Sequence, residues 1–162
     1  MLSFLKKKKT ENKKTLLAFA TGKIVPIEQV NDPTFSEKIL GDGLAIIPEE
    51  NIILSPGDGT ISTIMAESKH AVGIALDNGM EILIHEGLDT VSLKGEGFSL
   101  YVKEGQKVKT GDKLLSFNRE LLKEKGLEHI CIMVITNSMD FEKILFTAEE
   151  YVQSNKTVIA EI

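Results

Sequence analysis

Two histidines lie at the outer ends of a predicted hairpin, and their spacing in the sequence suggests that they act together in a reactive or binding site. His70 begins one apolar run, His85 ends the next, and Asp77-Asn78-Gly79 joins the two runs. Asn-Gly between apolar runs is typical of a tight β-hairpin, because both residues tolerate positive φ. Residues of a hairpin pair symmetrically about its turn, which places His70 opposite Glu86 or one residue beyond. We therefore expect both imidazoles at the same end of the hairpin.

Two neighbouring imidazoles support two kinds of chemistry. They can bind zinc, or one ring can accept a group at its nitrogen while the other stabilises the charge that develops. A catalytic zinc would need a third protein ligand, and the remaining histidine, His129, lies on a different segment. The sequence therefore favours phosphoryl or regulatory chemistry at His70 and His85. No cofactor is required, and a zinc ion at this pair is expected only with a ligand from a partner.

The strand that carries His85 has a predictable orientation. Side chains alternate along a strand, so Ile82 and Ile84 share one face, and Leu83 and His85 share the other. We expect the two isoleucines to point into the core. His85 should then point out of it beside Leu83.

The residues around His85 resemble the active-site signature of a known family. The run Gly79-Met80-Glu81-Ile82-Leu83-Ile84-His85-Glu86-Gly87-Leu88-Asp89-Thr90-Val91 is similar to the signature of the glucose-family IIA domain of the bacterial phosphoenolpyruvate-dependent sugar phosphotransferase system. Other blocks between residue 16 and the C-terminus resemble family landmarks in the same order, including Gly41-Asp42-Gly43-Leu44-Ala45-Ile46. The resemblance implies an antiparallel β-sandwich, of the duplicated hybrid motif type, with a shallow active-site depression.

The resemblance also implies roles for individual residues of this phosphotransferase component. His85 would accept a phosphoryl group from the phosphohistidine of the carrier protein HPr and pass it to a cysteine on the IIB domain of a sugar permease. His70 would support the transfer, and Ser68 stands where the family usually has a threonine that hydrogen-bonds this second histidine. An apolar collar and two acids at its rim would surround the site: Phe35, Ile39, Leu40, Leu83 and Val91, with Asp32 and Asp89.

Glu86 departs from the family pattern, which usually has an apolar residue, often Phe, at this position of the collar. We expect Glu86 to lie beside His85 in the collar. A carboxylate there would repel an incoming phosphoryl group at close range.

Length and composition indicate one globular domain in a reducing compartment. The chain has 162 residues, of which 42% are hydrophobic and 27% charged, enough for one well-buried core. No apolar run approaches the roughly 18 residues of a membrane span, and no secretory signal is evident. The single cysteine, Cys131, lies in an apolar segment and is expected to be a buried thiol. We expect a cytoplasmic protein.

Charge is distributed unevenly along the chain. The net charge is −5, but residues 1–14 contain six lysines against one acid, so the remainder carries −10. An acidic body argues against nucleic acid as a partner. Residues 1–15 are expected to be a flexible basic tail. Weak contact of this tail with an anionic membrane surface is the alternative, and residues 16–162 would form the IIA domain.

Turn residues recur about every ten positions, which predicts an all-β sandwich or barrel with short helical turns. Helical turns are predicted at 119–125 and 35–40. Strands are predicted at 17–21, 23–27, 44–47, 52–54, 60–65, 72–76, 81–85, 99–102, 113–117, 131–136 and 157–161.

Three other functional classes agree with the sequence to different degrees. Residues 102–115 resemble the strand-turn-strand of lipoyl and biotinyl carrier domains, but the tripeptide that presents their modified lysine is lacking. A lysostaphin-like zinc peptidase would need His-x-x-x-Asp and His-x-His motifs, which are also lacking. A non-catalytic regulatory relative remains open, with the pair His70 and His85 read by partner proteins. The sugar cannot be read from this chain, because in this family the membrane domain binds it.

Overall fold

Short alternating segments separated by turn residues form fourteen strands in the computed structural model, which describes residues 14–162. The strands are β1 (Thr15–Leu17), β2 (Gly22–Pro26), β3 (Asp42–Pro48), β4 (Ile52–Leu54), β5 (Gly59–Ile64), β6 (Ala71–Leu76), β7 (Glu81–Glu86), β8 (Phe98–Leu100), β9 (Lys107–Val108), β10 (Lys113–Phe117), β11 (Cys131–Ile135), β12 (Leu145–Phe146), β13 (Tyr151–Val152) and β14 (Val158–Glu161). The α-helices are α1 (Pro33–Ser36) and α2 (Arg119–Glu124). Three 3-10 turns complete the described elements: Ile27–Gln29, Thr90–Leu93 and Ser138–Asp140.

The strands assemble into an antiparallel sandwich. Eight of them form one sheet in the order β13-β2-β3-β11-β7-β6-β5-β9. Two three-stranded sheets, β1-β14-β12 and β4-β10-β8, complete the fold. The predicted all-β class is therefore confirmed.

The large sheet buries side chains on both of its faces. The main core lies between this sheet and the two small sheets, and it includes Ile84 and Met133 from the large sheet with Ile53 and Leu115 from a small one. A second, smaller cluster lies on the opposite face of the large sheet. Its members are Ile27, Val30, Phe35, Ala45, Leu88, Ile130, Ile132 and Val134. Short elements that follow or precede the strands cover this outer face.

Strand β7 lies between β6 and β11 and has a defined register with both. His85 pairs with Ala71 of β6 and with Ile132 of β11. Ile82 and Ile84 belong to the main core, whereas Leu83 packs against the outer cluster. The predicted alternation of faces along β7 is therefore confirmed. The predicted hairpin pairing is confirmed too, because Glu86 N donates to His70 O at 2.8 Å.

Several predicted boundaries are wrong, for reasons that backbone pairing explains. The strand predicted at 17–21 ends at Leu17, where the register of its pairing with β14 shifts between Leu16 and Leu17. The helix predicted at 35–40 is instead α1, whose N-cap Asp32 accepts a hydrogen bond from Thr34 N at 3.0 Å. Strands β9, β12 and β13 were not predicted, since two residues are too few to show alternation.

The N-terminal prediction falls largely on residues 1–13, which lie outside the described residues. Strand β1 begins at Thr15, so the expected boundary between tail and domain lies one residue inside this strand. Within residues 14–162, no helix has both the length and the apolarity to cross a membrane. Cys131 is buried, as expected.

We predict that Gly43→Ala destabilises the sheet that holds β7. A Cβ atom at this position of β3 would lie 1.9 Å from Met133 O of β11, so the two backbones would have to separate. Overpacking of this kind typically costs about 1–3 kcal/mol or more. Urea unfolding of Gly43→Ala should show a larger loss of stability than that of Gly57→Ala, where the backbone is not left-handed and a Cβ atom would lie 3.2 Å from the flexible end of the Leu76 side chain. Equal losses would contradict the close approach of β3 and β11.

Candidate active site

The two predicted histidines meet at the outer face of the large sheet. The ring centroids of His70 and His85 lie 4.7 Å apart, and the ring planes are nearly perpendicular at 88°. His85 is the penultimate residue of β7 and is half-buried, while His70 is only 4% exposed. The edge-to-face arrangement brings both side chains to a single point at the surface.

His70 reaches this point because it lies just outside β6. Lys69 before it has a left-handed backbone with φ of 58°, and Lys69 N donates to Met65 O at 2.7 Å. This tight turn frees His70 from strand alternation. Its ring therefore contacts His85 on the outer face. Strict alternation would instead have pointed His70 to the main core, the side to which its pairing partner Glu86 points.

Ser68 contacts His70 as expected from the resemblance. The Ser68 Oγ atom lies 2.7 Å from His70 Nδ1, and both residues are buried. This hydrogen bond leaves Nε2 as the ring nitrogen of His70 that is available to a partner or a substrate. The turn that ends in Lys69 therefore supplies both the second histidine and its hydrogen-bond partner.

Helix α1 covers one side of His85. The ring centroid of Phe35 lies 5.0 Å from that of His85, and Phe35 is 4% exposed. Asp32 caps the helix, and its negative charge acts on His85. One short helix therefore supplies an apolar wall and a nearby carboxylate.

The environment keeps His85 neutral. Burial lowers the pKa of His85 to about 4, and the charge of His70 contributes in the same direction. The backbone of Gly87 and the carboxylate of Asp32 oppose this shift, because both stabilise a positive ring. Burial also lowers the pKa of His70. Both imidazoles are therefore unprotonated bases at neutral pH.

The two nitrogens of His85 have different surroundings. Nδ1 is enclosed and makes no hydrogen bond of acceptable geometry with the described residues, although the Gly87 backbone is close enough to raise the pKa of the ring. Nε2 is not among the enclosed atoms. Nε2 is therefore the nitrogen that an incoming group can reach.

The turn after His85 contains a residue that the sequence analysis did not single out. Thr90 is fully buried, and its Oγ1 donates to Glu86 O at 2.6 Å. Gly87 has φ of +78°, which favours glycine, and its N donates to Ile130 O at 2.7 Å. A threonine three residues after a glycine was visible in the signature, but only the fold shows what it holds.

Three apolar side chains of the expected collar are exposed. Ile39 is 67% exposed, Leu40 39% and Val91 55%. Ile39 and Leu40 lie between α1 and β3, and Val91 lies in the 3-10 turn after His85. Leu83 is half-buried on the same face as His85, and Asp89 is exposed.

The expectation that Glu86 belongs to the collar is wrong. Glu86 follows His85 on the strand and so points to the opposite face, where it is fully buried and pairs in register with Cys131. Its carboxyl oxygens make no hydrogen bond of acceptable geometry with residues 14–162, although the Cys131 thiol is adjacent. Burial raises the pKa of Glu86 well above its usual range, so the side chain is held as a neutral acid.

Metal ligands are not assembled at the histidine pair by the described residues alone. Within residues 14–162, no group of three or more His, Cys, Asp or Glu side chains could hold a metal ion. The zinc ion shared with a partner's ligand stays a prediction.

Comparisons with known proteins agree with this geometry. The sequence model of the family described as phosphoenolpyruvate-dependent sugar phosphotransferase system, EIIA 1, matches residues 14–141. The PTS system glucose-specific EIIA component of Bacillus cereus is 45% identical over 151 residues, which cover 93% of this chain and 91% of that protein. The mannose-specific EIIBCA component of Corynebacterium glutamicum is 41% identical over 138 residues, which cover 85% of this chain and 20% of that protein. The solved glucose permease IIA of Mycoplasma capricolum superposes with a TM-score of 0.78 at 34% identity, over 90% of this chain and 93% of that one.

We predict that His85 titrates far below an ordinary histidine. Its ring signals in an NMR titration should have a midpoint near pH 4, because burial disfavours the charged ring. Phe35→Ala should raise the midpoint by exposing the ring. A midpoint between pH 6 and 7 in the unaltered protein, near the reference value of about 6.5, would contradict this assignment.

We predict that Glu86 makes the protein less stable as pH rises above about 6.5. The unfolded chain ionises Glu86 above its reference pKa of about 4.3, whereas the folded chain keeps it protonated, so stability falls by up to about 1.4 kcal/mol per pH unit. Below pH 6.5 the neutral His85 acts in the opposite direction, because only the unfolded chain protonates it there. Denaturant unfolding measured at increasing pH from 6.5 should therefore show a fall in the free energy of unfolding.

The Glu86→Gln variant should lose this fall, because it has no ionisable group at that position. Glu81→Gln is the matched control, since Glu81 is an exposed carboxylate on the same strand. It should keep the fall. A slope that is equal in all three proteins would show that Glu86 is not the group responsible.

Proposed function

Because the chain belongs to the EIIA 1 family of the phosphoenolpyruvate-dependent sugar phosphotransferase system, we propose that phospho-HPr is the donor to His85 and that a IIB domain is the acceptor. Membership confirms the predicted class of function: the chain is a phosphotransferase component that carries a phosphoryl group in sugar uptake. EIIA components of this family act through a phosphohistidine. The assignment of that phosphohistidine to His85, and of roles to its neighbours, is our proposal.

The observation that carries the proposal is the neutral imidazole of His85 with one nitrogen left open. The Nε2 lone pair forms a P–N bond as the P–N bond to the donor imidazole breaks, and the electron pair of the broken bond returns to the donor. Nδ1 of His85 keeps its proton throughout. The low pKa of His85 keeps that lone pair available at neutral pH.

Positive charge develops on the His85 ring as its nitrogen bonds to phosphorus. The Gly87 backbone and Asp32 both favour a positive ring, as their effects on the pKa of His85 indicate. They would therefore stabilise the charge that forms. His70, held by Ser68 through Nδ1, presents Nε2 toward the same point. We propose that this nitrogen hydrogen-bonds the phosphoryl oxygens and steadies them during transfer.

The exposed apolar collar supplies the docking surface. Ile39, Leu40 and Val91 can pack against an apolar surface of the partner and exclude water from the phosphohistidine, which water would otherwise hydrolyse. Because donor and acceptor would use the same surface, they would bind one after the other. This order fits a carrier.

The relatives support the choice of partners. The Corynebacterium glutamicum relative is named an EIIBCA component, and a IIA-like segment accounts for only part of that protein. A IIB domain as acceptor for this chain follows from that covalent association. The Bacillus cereus relative is named glucose-specific, so we propose a permease of the glucose family as the one served, and a cytoplasmic site of action.

Intact-protein mass spectrometry at mildly alkaline pH tests the assignment. After incubation with phosphoenolpyruvate, Enzyme I and HPr, the chain should gain about 80 Da, one HPO₃ unit, and lose it in acid. His85→Ala should show no gain. His70→Ala should still accept the group but pass it on slowly to a IIB domain, by about tenfold or more if the lost contact contributes about 1.4 kcal/mol to the transition state.

The third histidine provides the matched control. His129 lies near Arg119 and the Pro48 backbone rather than in the pair, so His129→Ala should accept the phosphoryl group normally. A gain of mass in His85→Ala would overturn the assignment to His85. No gain in any variant, with active Enzyme I and HPr, would overturn the donor.

A further inference from the structure

The turn that follows His85 is held by one side chain. Thr90 is fully buried, and its hydroxyl donates to Glu86 O, the carbonyl of the residue directly after His85, at 2.6 Å. The hydrogen bond spans the turn and joins its two ends. Asp89, just before Thr90, has a left-handed backbone with φ of 59°. The turn is therefore an unusual conformation closed by a short hydrogen bond.

Both parts of the Thr90 side chain contact the turn. A Cβ atom placed on Gly87 would lie 2.3 Å from Thr90 Cγ2 and 3.2 Å from Thr90 Oγ1. The threonine methyl group is thus packed directly over the Cα atom of Gly87. The hydroxyl fixes the carbonyl before Gly87, and the methyl group limits where Gly87 itself can move.

Backbone hydrogen bonds fix the other side of the same turn. Gly87 N donates to Ile130 O at 2.7 Å, and Leu88 N donates to Glu128 O at 3.1 Å. The peptide between Glu86 and Gly87 is therefore held at its N–H by the neighbouring segment and at its C=O by Thr90. The two bonds from Gly87 N and Leu88 N join backbone atoms and do not depend on the side chains at those positions. The bond from Thr90 is the one that depends on a side chain.

The carbonyl of Gly87, which follows the held peptide, lies beside the His85 ring. Nδ1 of His85 is buried and makes no hydrogen bond of acceptable geometry with the described residues, and the Gly87 backbone is adjacent to the ring. A neutral imidazole with a free Nε2 must carry its proton on Nδ1. An enclosed N–H group is costly unless an acceptor lies within reach. The position of the Gly87 backbone therefore decides which tautomer is stable.

We propose that Thr90 is a positioning residue whose hydroxyl holds the turn at Glu86 and Gly87. The Gly87 carbonyl can then accept a hydrogen bond from Nδ1–H of His85, so that Nε2 stays unprotonated and can accept the phosphoryl group. The inference rests on the proposed function of His85. The hydroxyl of Thr90 donates to the backbone and not to the ring. Its effect passes through the backbone of the turn.

Two substitutions separate the hydroxyl group from the methyl group. Thr90→Val keeps the shape and the methyl group but removes the donor, and Thr90→Ser keeps the donor. In a coupled assay with phospho-HPr, Thr90→Val should lower kcat about tenfold, a typical effect of losing one buried hydrogen bond, with KM changed by less than about twofold. Thr90→Ser should restore most of the rate. Thr157→Val is the control, because it removes another threonine hydroxyl that holds a turn, one that accepts a hydrogen bond from Gln153 N at 2.9 Å before β14 and far along the chain from His85.

NMR of the unphosphorylated protein provides a readout that a merely structural role would not move. At pH 7 the nitrogen shifts of His85 should show a proton on Nδ1 and a bare Nε2 in the unaltered protein and in Thr90→Ser. Thr90→Val should show a mixture of the two tautomers. The reverse tautomer in the unaltered protein would overturn the proposal even if Thr90→Val does not fold.

Other outcomes are equally decisive. An unchanged rate and tautomer in Thr90→Val, or equal losses in Thr90→Val and Thr90→Ser, would overturn the role of the hydroxyl. If the unaltered protein accepts no phosphoryl group from phospho-HPr, the proposed function fails. The tautomer measurement needs no partner and would still test Thr90.

Discussion

The backbone pairing of β7 with β6 and β11 is the constraint on which the site depends. Strand β7 is hydrogen-bonded on both edges, with His85 opposite Ala71 and Ile132. Side chains alternate with a period of two, so a slip of one residue would bring His85 into the main core and Glu86 to the surface. Ile82 and Ile84 oppose such a slip, because it would remove both from the main core. Packing of two isoleucines thus determines which way a reactive imidazole points.

Glu86 shows how far two neighbouring residues can differ in environment. Its backbone takes part in the site, because its N–H donates to the His70 carbonyl and its carbonyl accepts from Thr90. Its side chain lies on the other face of the sheet, where burial keeps it neutral. A carboxyl group at this position therefore does not meet an incoming phosphoryl group. The site uses only the main chain of this residue, so its side chain need only be compatible with the core.

Burial and reactivity are linked at His85. Enclosing the ring lowers its pKa and keeps the attacking lone pair free, but it also removes the water that would solvate Nδ1. The turn held by Thr90 can supply the hydrogen-bond acceptor that water would otherwise have given to Nδ1–H. Exposed apolar residues such as Ile39 and Val91 leave the site open on its outer side. A docked partner would close that side, so water exclusion would be complete only during transfer.

The sequence by itself determined the hairpin, the faces of β7 and the placement of His70 and His85 at the same end of the hairpin. These features follow from local rules: an Asn-Gly turn, apolar alternation and symmetric pairing about the turn. The signature around His85 also indicated the family, because its residues are contiguous in the chain. Only the tertiary structure decided that α1 places Phe35 against His85, that Glu86 is buried beside Cys131, and that Thr90 closes the turn. The contacts of Phe35 with His85 and of Glu86 with Cys131 join segments far apart in the chain, and local sequence patterns contain no such information. The Thr90 hydrogen bond is local, but it depends on the left-handed backbone of Gly87 and Asp89, which only the folded chain shows.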